Sequence, residues 1–289
     1  MLRRRAVSLL LGALAEIDAP ASAGLNRFLN PSFGSALLLD IRARRLLAIN
    51  NVGEAGRTLA PPGSTLKPLV LSALLSRKRL GSEPAFHCPG RLLIGNRRFD
   101  CTHPVMATLM STETALAYSC NCFVAHVAEQ FEPGELAREL VRVGFASRTD
   151  LTGSGEVAGR VQHEIAPDGQ RMQALGEAGI LITPVELALA YRQLAITASR
   201  PEMHSILAGL EGAVEFGTAQ NARIAGVTVA GKTGSTRNAA GESIAWFAGF
   251  LPSRSPEVVV TVMLSGRSGG ADAAPVARQI LEGYRAGHL

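Results

Sequence analysis

The sequence is poor in charged and aromatic residues and contains few cysteines. Charged residues make up 18% of the 289 positions and aromatic residues 5%, whereas hydrophobic residues make up 47%. A chain of this length and composition can bury a sizeable core, which excludes a largely disordered protein. The net charge is +5, but the basic residues do not form a stripe interleaved with aromatic residues, so no nucleic-acid partner is expected.

Long apolar runs are also scarce, and the N-terminus is the only segment that suggests a membrane or export function. No other segment approaches the roughly 20 apolar residues of a spanning helix. Arg3–Arg5 form a positive region, Val7–Ala15 a short apolar run, and Ala21–Ala23 a small-residue cleavage site. The alternative is a basic amphipathic helix that stays on the protein. We expect residues 1–32 to be a signal-like or anchoring segment, with any membrane contact confined to it.

The four cysteines leave two interpretations open. Cys88 and Cys101 bracket a glycine-containing loop and could form a disulfide in an exported protein. Neighbouring histidines make a zinc site conceivable, but the closely spaced C-x2-C pairs of common zinc sites are missing. Cys120 and Cys122 are interpreted as small buried hydrophobic side chains. We therefore expect neither a metal nor a cofactor.

The hydrophobic periodicity changes twice along the chain, which predicts an α+β fold. We expect an antiparallel sheet built from N- and C-terminal strands and flanked by helices, and a mostly helical second lobe, with a cleft between them. Residues 33–289 would form this single domain. The predicted strands are Ser35–Ile41, Arg45–Asn50, Ala225–Lys232, Ala245–Leu251 and Val258–Leu264. The predicted helices are 65–78, Val105–Tyr118, Cys122–Gln130, Gly134–Val143, Pro184–Ala198, Ser205–Val214 and 273–285.

The first candidate motif is Ser64-Thr65-Leu66-Lys67, which follows a loop ending in Pro61-Pro62-Gly63. Ser64 would lie at a helix start, where backbone N–H groups lack intrahelical partners and can hold an oxyanion. Lys67 comes three residues later and faces the same side, within or close to hydrogen-bond reach of Ser64. A serine needs an adjacent base to become a nucleophile, and a buried lysine with a lowered pKa can be that base. The alternative is an N-cap serine beside a solvated lysine.

Two further short motifs follow in the sequence. Ser119-Cys120-Asn121 comes at the end of a predicted helix, where a serine and an amide two residues apart can point into one cleft. Lys232-Thr233-Gly234-Ser235 comes at the end of a predicted strand. A lysine and hydroxyl groups there can bind a carboxylate, and Gly234 lets a ligand approach the backbone closely. Taken singly, these motifs could equally be a polar helix end and a strand-ending turn.

The order of the three motifs, S-x-x-K, S-x-N and K-T-G, is that of penicillin-binding proteins and serine β-lactamases. The chain resembles the transpeptidase domain of penicillin-binding proteins, within the serine D,D-peptidase and β-lactamase-like superfamily, from about residue 33 to 284. The resemblance includes "ALLLDIRARRLLAI", "PPGSTLKP", "LAYSCNCFVAHVA", "LGEAGILITPVELALAY", "GVTVAGKTGS" and "AWFAGFLP". This resemblance implies a serine acyl-transferase that requires no metal.

The resemblance also implies a role for each motif residue. Ser64 would be the acylated nucleophile and Lys67 its general base. Ser119 would relay a proton to the leaving amine, Asn121 would bind the substrate amide, and Lys232 would supply positive potential.

The end of the third motif would bind the substrate carboxylate. Thr233 and Ser235 would contact it through their hydroxyl groups, with Gly234 between them as part of the substrate-binding strand. Ser235 stands where many transpeptidases have threonine, a change that keeps the hydroxyl. The backbone N–H groups of Ser64 and Ser235 would form the oxyanion hole.

The resemblance leaves four functions open. The first is a D,D-transpeptidase that cross-links D-Ala-D-Ala stem peptides of peptidoglycan, and the second is a D,D-carboxypeptidase that uses water as the acceptor. The third is a β-lactamase, which usually needs a positioned carboxylate or an activated water. Glu156 comes at a plausible distance for such a carboxylate but lacks the expected sequence context, so it is interpreted as structural. The fourth is a non-catalytic β-lactam sensor or scaffold.

We expect the first function, the D,D-transpeptidase, and this function implies particular partners and a particular location. The partners implied are stem peptides, β-lactams and other cell-wall synthesis proteins. The location implied is the periplasm or the outer face of the cytoplasmic membrane.

Overall fold

The computed structural model describes Leu25 and residues 34–80, 86–153 and 155–289 of the chain. The signal-like segment predicted over residues 1–32 lies outside the described residues, except for Leu25, which is buried. The strands are β1 (Gly34–Asp40), β2 (Arg45–Asn50), β3 (Leu93–Ile94), β4 (Arg97–Arg98), β5 (Arg160–Val161), β6 (Ile180–Leu181), β7 (Ala230–Arg237), β8 (Ser243–Leu251) and β9 (Val258–Ser265). The α-helices are α1 (Val52–Arg57), α2 (Lys67–Ser76), α3 (Thr112–Ala117), α4 (Asn121–Ala128), α5 (Glu135–Arg142), α6 (Pro167–Ala174), α7 (Pro184–Ala198), α8 (His204–Glu215) and α9 (Ala274–Arg285).

The main sheet joins the two ends of the described chain. Its five strands are antiparallel and follow the order β2-β1-β9-β8-β7. β1 lies beside β9, with Gly34 opposite Leu264 and Asp40 opposite Val258. The predicted α+β fold, with a sheet built from N- and C-terminal strands, is therefore confirmed. The third-motif strand, β7, is at the edge of this sheet.

Both faces of the sheet are buried, because successive side chains of a strand point to opposite faces. In β1, Leu37 and Leu39 join a core shared with the helical lobe, whereas Ala36 and Leu38 join a second core under α9. Burial of each such leucine stabilises the fold by about 1.5–3 kcal/mol. The sheet therefore forms a rigid middle layer that can position catalytic groups at its edge.

Helix α7 connects this layer to the candidate site. It begins at Pro184 as predicted, because Thr183 and Glu186 form a capping box in which each side chain accepts a hydrogen bond from the other residue's backbone N–H (3.3 and 2.8 Å). The helix packs against β1, β8 and β9. Its buried Tyr191 contacts the segment that contains Ser64.

The helix predicted over Val105–Tyr118 is wrong in its first half. Helix α3 begins only at Thr112, where Ser111 and Thr114 form a capping box. Before it, Met110 pairs with Phe86 in an isolated β-bridge, and Val105 is 98% exposed. The apolar residues of this stretch therefore belong to an extended loop and do not form one face of a helix.

The strand predicted over Ala225–Lys232 is displaced along the chain. Residues 224–227 form a tight turn closed by an isolated bridge, with Gly226 at a φ of +77°. β7 begins at Ala230 and continues to Arg237. The K-T-G motif therefore lies inside an edge strand and is not a strand-ending turn.

Helices α1 and α6 are absent from the sequence-based prediction, because both contain glycine and lack a long apolar repeat. Within the described ranges, no helix is long and apolar enough to span a membrane.

Candidate active site

The predicted nucleophile, Ser64, lies in a short 3-10 turn directly before α2, and its side chain lines a cleft. Two buried aromatic side chains hold this turn in place. Tyr191 of α7 donates a hydrogen bond to the carbonyl of Thr65 (2.8 Å), and Trp246 of β8 donates one to the carbonyl of Pro61 (3.0 Å). Both come from rigid core elements, so tertiary packing sets the position of Ser64.

Lys67 is the first residue of α2 and is fully buried. Its Nζ donates hydrogen bonds to the carbonyl of Ser119 (2.7 Å), the hydroxyl of Ser119 (3.2 Å) and Oδ1 of Asn121 (2.5 Å). Burial lowers the pKa of Lys67 to about 8, as expected for a general base. No hydrogen bond joins it to Ser64 in the described structure, because the second motif holds the amine instead.

Ser119 has a strained backbone. Its φ of +58° lies in the left-handed region, which non-glycine residues rarely adopt. Such a conformation costs on the order of 1–3 kcal/mol and is concentrated at functional sites. It lies between α3 and α4, and it places both the carbonyl and the hydroxyl of Ser119 on Lys67.

Asn121, the first residue of α4, has an amide that is held from both ends. Its Oδ1 accepts from Lys67, and its Nδ2 donates to the carbonyls of Phe99 (2.9 Å) and Asp100 (3.4 Å). The amide therefore connects the buried lysine to the loop that forms one wall of the cleft. This loop, which we call the cysteine loop, comprises residues 86–104.

Lys232 lies in β7 and is fully buried beneath the cleft. Its Nζ donates to the carbonyl of Thr233 (3.2 Å) and to the hydroxyl of Thr218 (3.5 Å). Burial, together with the nearby charge of Lys67, lowers the pKa of Lys232 well below that of an ordinary lysine. The hydroxyl of Thr233 donates to that of Thr218 (2.9 Å), so both hydroxyls are oriented at the cleft surface.

Gly234 and Ser235 bring β7 against the turn that contains Ser64. A Cβ atom on Gly234 would lie 2.8 Å from the carbonyl oxygen of Pro62 and 3.0 Å from the Thr65 side chain, so only glycine fits. The exposed Ser235 accepts a hydrogen bond from the backbone N–H of Gly269 (3.1 Å). This close packing brings the backbones of Ser64 and Ser235 to the same cleft.

The three motifs, which are far apart in the sequence, converge on one cleft. Helix α2, the α3–α4 connection and strand β7 each contribute one of them. The cleft encloses about 400 Å³ and is lined by Ser64, Phe99, Thr102, Ser119, Asn121, Glu177, Thr218, Thr233, Ser235, Ser268 and Gly270. Nine of these eleven residues carry a hydroxyl, amide or carboxylate group, and the two buried lysines lie behind them.

Six residues of the cleft lining are not predicted from the sequence, and two of them, Thr218 and Glu177, bear on its chemistry. Thr218 is an isolated threonine after α8, and no local pattern relates it to β7. Glu177 lies in "LGEAG", between the second and third motifs, and burial raises the pKa of its carboxyl group. Its only nearby cation within ion-pair distance is Arg97, at 3.8 Å, among the described residues. A carboxyl group with a raised pKa in a cleft can act in proton transfer.

Glu156, the carboxylate considered from the sequence, lies outside the cleft lining. It accepts hydrogen bonds from the backbone N–H groups of Thr149 and Thr152 and from the hydroxyl of Thr152 (3.0 Å). Burial alone would raise the pKa of Glu156, but these hydrogen bonds outweigh it and lower the pKa. The residue organises its own loop, in agreement with a structural role.

The four cysteines are unbonded and lie together beside the second motif. Cys88 and Cys101, the pair for which the sequence left a disulfide open, have their sulfur atoms 3.7 Å apart. Cys101 is also 3.7 Å from Cys120 and 3.5 Å from Cys122. Three of them, Cys88, Cys101 and Cys120, form with His103 the one group in the described ranges whose ligand atoms lie close enough together to hold a metal ion.

Comparison with known proteins gives consistent matches. The probable peptidoglycan D,D-transpeptidase PbpC of Pseudomonas aeruginosa is 27% identical over 302 residues, covering 86% of this chain and 53% of that protein. Stage V sporulation protein D of Bacillus subtilis is 24% identical over 266 residues, covering 76% and 41%. The chain thus spans about half the length of these curated relatives.

Solved structures show the same fold. Pseudomonas aeruginosa PBP2, solved in complex with WCK 5153, superimposes with a TM-score of 0.80 at 20% identity, covering 93% of this chain and 74% of that one. The D,D-transpeptidase domain of a peptidoglycan glycosyltransferase from Eggerthella lenta gives 0.81 at 19% identity, covering 94% and 83%. The family model of the penicillin binding protein transpeptidase domain matches residues 34–282. With its three motifs in one cleft, the chain belongs to the penicillin-binding protein transpeptidase domain family.

Proposed function

We propose that this chain is a serine D,D-transpeptidase that cross-links D-Ala-D-Ala stem peptides of peptidoglycan through an acyl-enzyme on Ser64. The main support is the arrangement around Lys67: a buried amine with a lowered pKa, one helical turn after Ser64 and bonded to Ser119 and Asn121. A solvated surface lysine would have neither the lowered pKa nor the hydrogen bonds to Ser119 and Asn121.

The acylation step uses Lys67 as the base. The Oγ of Ser64 attacks the carbonyl carbon of the penultimate D-Ala while its proton passes to the neutral amine of Lys67. Catalytic hydrogen bonds often tighten only in the substrate complex, and the Ser64–Lys67 bond would form there. Ser119, whose hydroxyl lies 3.2 Å from the amine, then gives its proton to the leaving D-Ala nitrogen and takes a proton from the Lys67 ammonium, which returns to the neutral amine. One ester bond forms and one peptide bond breaks.

The remaining motif residues hold the substrate. Thr233 and Ser235 present hydroxyl groups to the terminal carboxylate. Burial and Lys67 disfavour the charged form of Lys232, but a bound carboxylate would favour it, so Lys232 would supply positive potential from below in the substrate complex. Asn121 orients the substrate amide. The backbone N–H groups of Ser64 and Ser235 stabilise the oxyanion of the tetrahedral intermediate, a contribution usually worth about 3–4 kcal/mol per donor. The acyl group is then transferred to the amine of a second stem peptide.

Hydrolysis is the second candidate, and Glu177 is the observation that favours it. A D,D-carboxypeptidase or β-lactamase must activate a water molecule against the acyl-enzyme. Glu177 places a carboxyl group with a raised pKa in the cleft lining, where it could do so. Glu156 does not line this cleft and is not a candidate for that role.

Covalent labelling with a fluorescent penicillin tests the proposal. We expect stoichiometric labelling of the full chain, slow release of the label, and no penicilloyl adduct by intact-mass analysis of Ser64→Ala. The Ser64→Ala variant should lose at most about 1 kcal/mol of stability, so its thermal unfolding serves as the control. Rapid release would favour a β-lactamase, and absence of labelling would favour a non-catalytic scaffold.

The cellular setting is part of the same proposal. Peptidoglycan lies outside the cytoplasmic membrane, so the chain would act in the periplasm or on the outer face of that membrane. The signal-like residues Arg3–Arg5 and Val7–Ala15 would direct it there. N-terminal sequencing of protein from the native host tests export, since an intact cytoplasmic chain would contradict it. Other cell-wall synthesis proteins are the proposed partners.

A further inference from the structure

Ligand atoms from two chain segments form a compact cluster behind the wall of the cleft. The cysteine loop contributes Cys88, Cys101 and His103, and the second motif contributes Cys120. The sulfur of Cys88 lies 3.7 Å from that of Cys101 and 3.5 Å from that of Cys120, and Cys101 lies 3.7 Å from Cys120. The Nε2 atom of His103 lies 3.6 Å from the sulfur of Cys88. All four ligand atoms are within 4.8 Å of one another.

These distances match the edges of a zinc coordination tetrahedron. With Zn–S bonds of about 2.3 Å and Zn–N bonds of about 2.0–2.1 Å, tetrahedral geometry puts two sulfurs about 3.8 Å apart and a sulfur and a nitrogen about 3.6 Å apart. A disulfide would need sulfurs about 2.05 Å apart. We propose that Cys88, Cys101, His103 and Cys120 bind one structural Zn²⁺ ion.

The hydrogen bonds around the cluster prepare its atoms for a metal. Nδ1 of His103 lies 2.8 Å from the carbonyl of Pro104, which fixes its proton on Nδ1 and leaves the lone pair on Nε2. Backbone N–H groups donate to two of the sulfurs, from Gly90 to Cys88 and from Phe123 to Cys120, both at 3.3 Å. Such outer hydrogen bonds orient metal ligands and stabilise thiolates.

The chemistry of the ligands selects zinc. Thiolate and imidazole in a tetrahedral set suit Zn²⁺, and four protein ligands close the coordination sphere, as in structural sites. Cys122 is nearby, 3.5 Å from Cys101, but it does not belong to the four-atom group and donates to the carbonyl of Arg91 (3.6 Å). It therefore provides a matched cysteine control.

The ion would act by positioning the second motif. Cys120 is the residue between Ser119 and Asn121, and its partners lie in the cysteine loop, which supplies Phe99 and Thr102 to the cleft. A metal joining the two would fix this wall to the strained turn at Ser119. Zinc binding itself does not depend on the proposed function, whereas the effect on acylation rests on it.

Metal analysis of the full-length chain, purified under reducing conditions, tests the site. We expect one zinc per chain in the wild type and in Cys122→Ser, and loss of zinc in Cys120→Ser and His103→Ala. Because a ligand variant could fail to fold, the wild type is also stripped with a chelator and titrated with Co²⁺. One equivalent should produce the thiolate-to-cobalt charge-transfer and d–d bands of a tetrahedral sulfur site.

Three results would overturn the proposal. The first is reduced wild-type protein that takes up neither Zn²⁺ nor Co²⁺ stoichiometrically. The second is loss of zinc in Cys122→Ser with retention in His103→Ala, which would refute the ligand set. The third is a disulfide within the cluster in protein from the native host.

A separate readout tests the positioning role. Stripped protein should be acylated by penicillin about tenfold or more slowly, with recovery on addition of Zn²⁺. An unchanged acylation rate after metal removal would refute the positioning role, but it would not contradict the proposal that the site binds zinc. Failure of the proposed function itself would instead appear as absent labelling of zinc-loaded protein.

Discussion

The rate of acylation should rise with pH through the titration of Lys67, because only its neutral amine can accept the proton of Ser64. Burial lowers the pKa of Lys67 from the 10.5 of an ordinary lysine to about 8. At pH 7 this shift raises the neutral fraction from about 0.03% to about 9%, roughly a 300-fold gain. The shift alone therefore accounts for more than two orders of magnitude in available base.

The direction of the pH dependence follows from the lowered pKa. Below pH 8 the ammonium form dominates and cannot act as a base, so the rate falls as the pH falls. Between pH 6 and pH 8 the neutral fraction grows about 50-fold, and between pH 8 and pH 9 it grows by less than about twofold. The second-order acylation rate should follow this curve and level off above pH 8.

The assay is single-turnover labelling with penicillin at concentrations far below saturation, followed by intact-mass analysis from pH 6 to pH 9. Lys67→Arg should remain unlabelled over the whole range, because arginine cannot lose its proton there. Lys78→Arg, at an exposed lysine near the end of the same helical segment, is the control and should retain the wild-type profile. A flat profile, or efficient labelling of Lys67→Arg, would refute Lys67 as the base.

Three further substitutions test the packing and the carboxylates around the site. Gly234→Ala should lower the free energy of unfolding by about 1–3 kcal/mol and abolish labelling, because the added Cβ would lie 2.8 Å from the carbonyl oxygen of Pro62. Gly53→Ala is its control: the added Cβ meets nothing within 4 Å, so thermal unfolding should show a neutral or stabilising effect. Glu177→Gln should slow release of the penicilloyl group about tenfold or more if hydrolysis uses this carboxyl group, and unchanged release would exclude it. Glu156→Gln should lower stability by about 1–3 kcal/mol in chemical denaturation without changing release, since its carboxylate only accepts hydrogen bonds from Thr149 and Thr152.

The elements that could be predicted from the sequence are those whose signals are local. β2 has the bounds predicted for the second strand of the hairpin, and helix α7 has the predicted bounds because its proline and capping box lie within four residues of its start. The helix predicted over Val105–Tyr118 was wrong in its first half, because the apolar residues at helical spacing there lie in an extended loop. Its true start is set by Ser111, a cap that hydrophobic periodicity does not detect.

The candidate motif residues could likewise be selected from the sequence, since each motif is a short run of characteristic residue types. The surroundings of these residues could not be predicted from the sequence. The sequence does not indicate that Lys67 bonds to Ser119 and Asn121, 52 and 54 residues away, or that Ser119 is held at a positive φ. These properties depend on the packing of α2 against the second motif, which only the folded chain provides.

The sequence by itself determined the α+β class, the order of the three motifs and the chemistry that each residue type can perform, because these depend on side-chain identity and local spacing. Only the tertiary structure decided which groups share the cleft and which surround it. Thr218 and Glu177 joined the site, Glu156 did not, and the four cysteines came together beside Asn121. The physical reason is that these contacts form between segments far apart in the chain, where burial and close packing fix the neighbours and the sequence pattern carries no distance information.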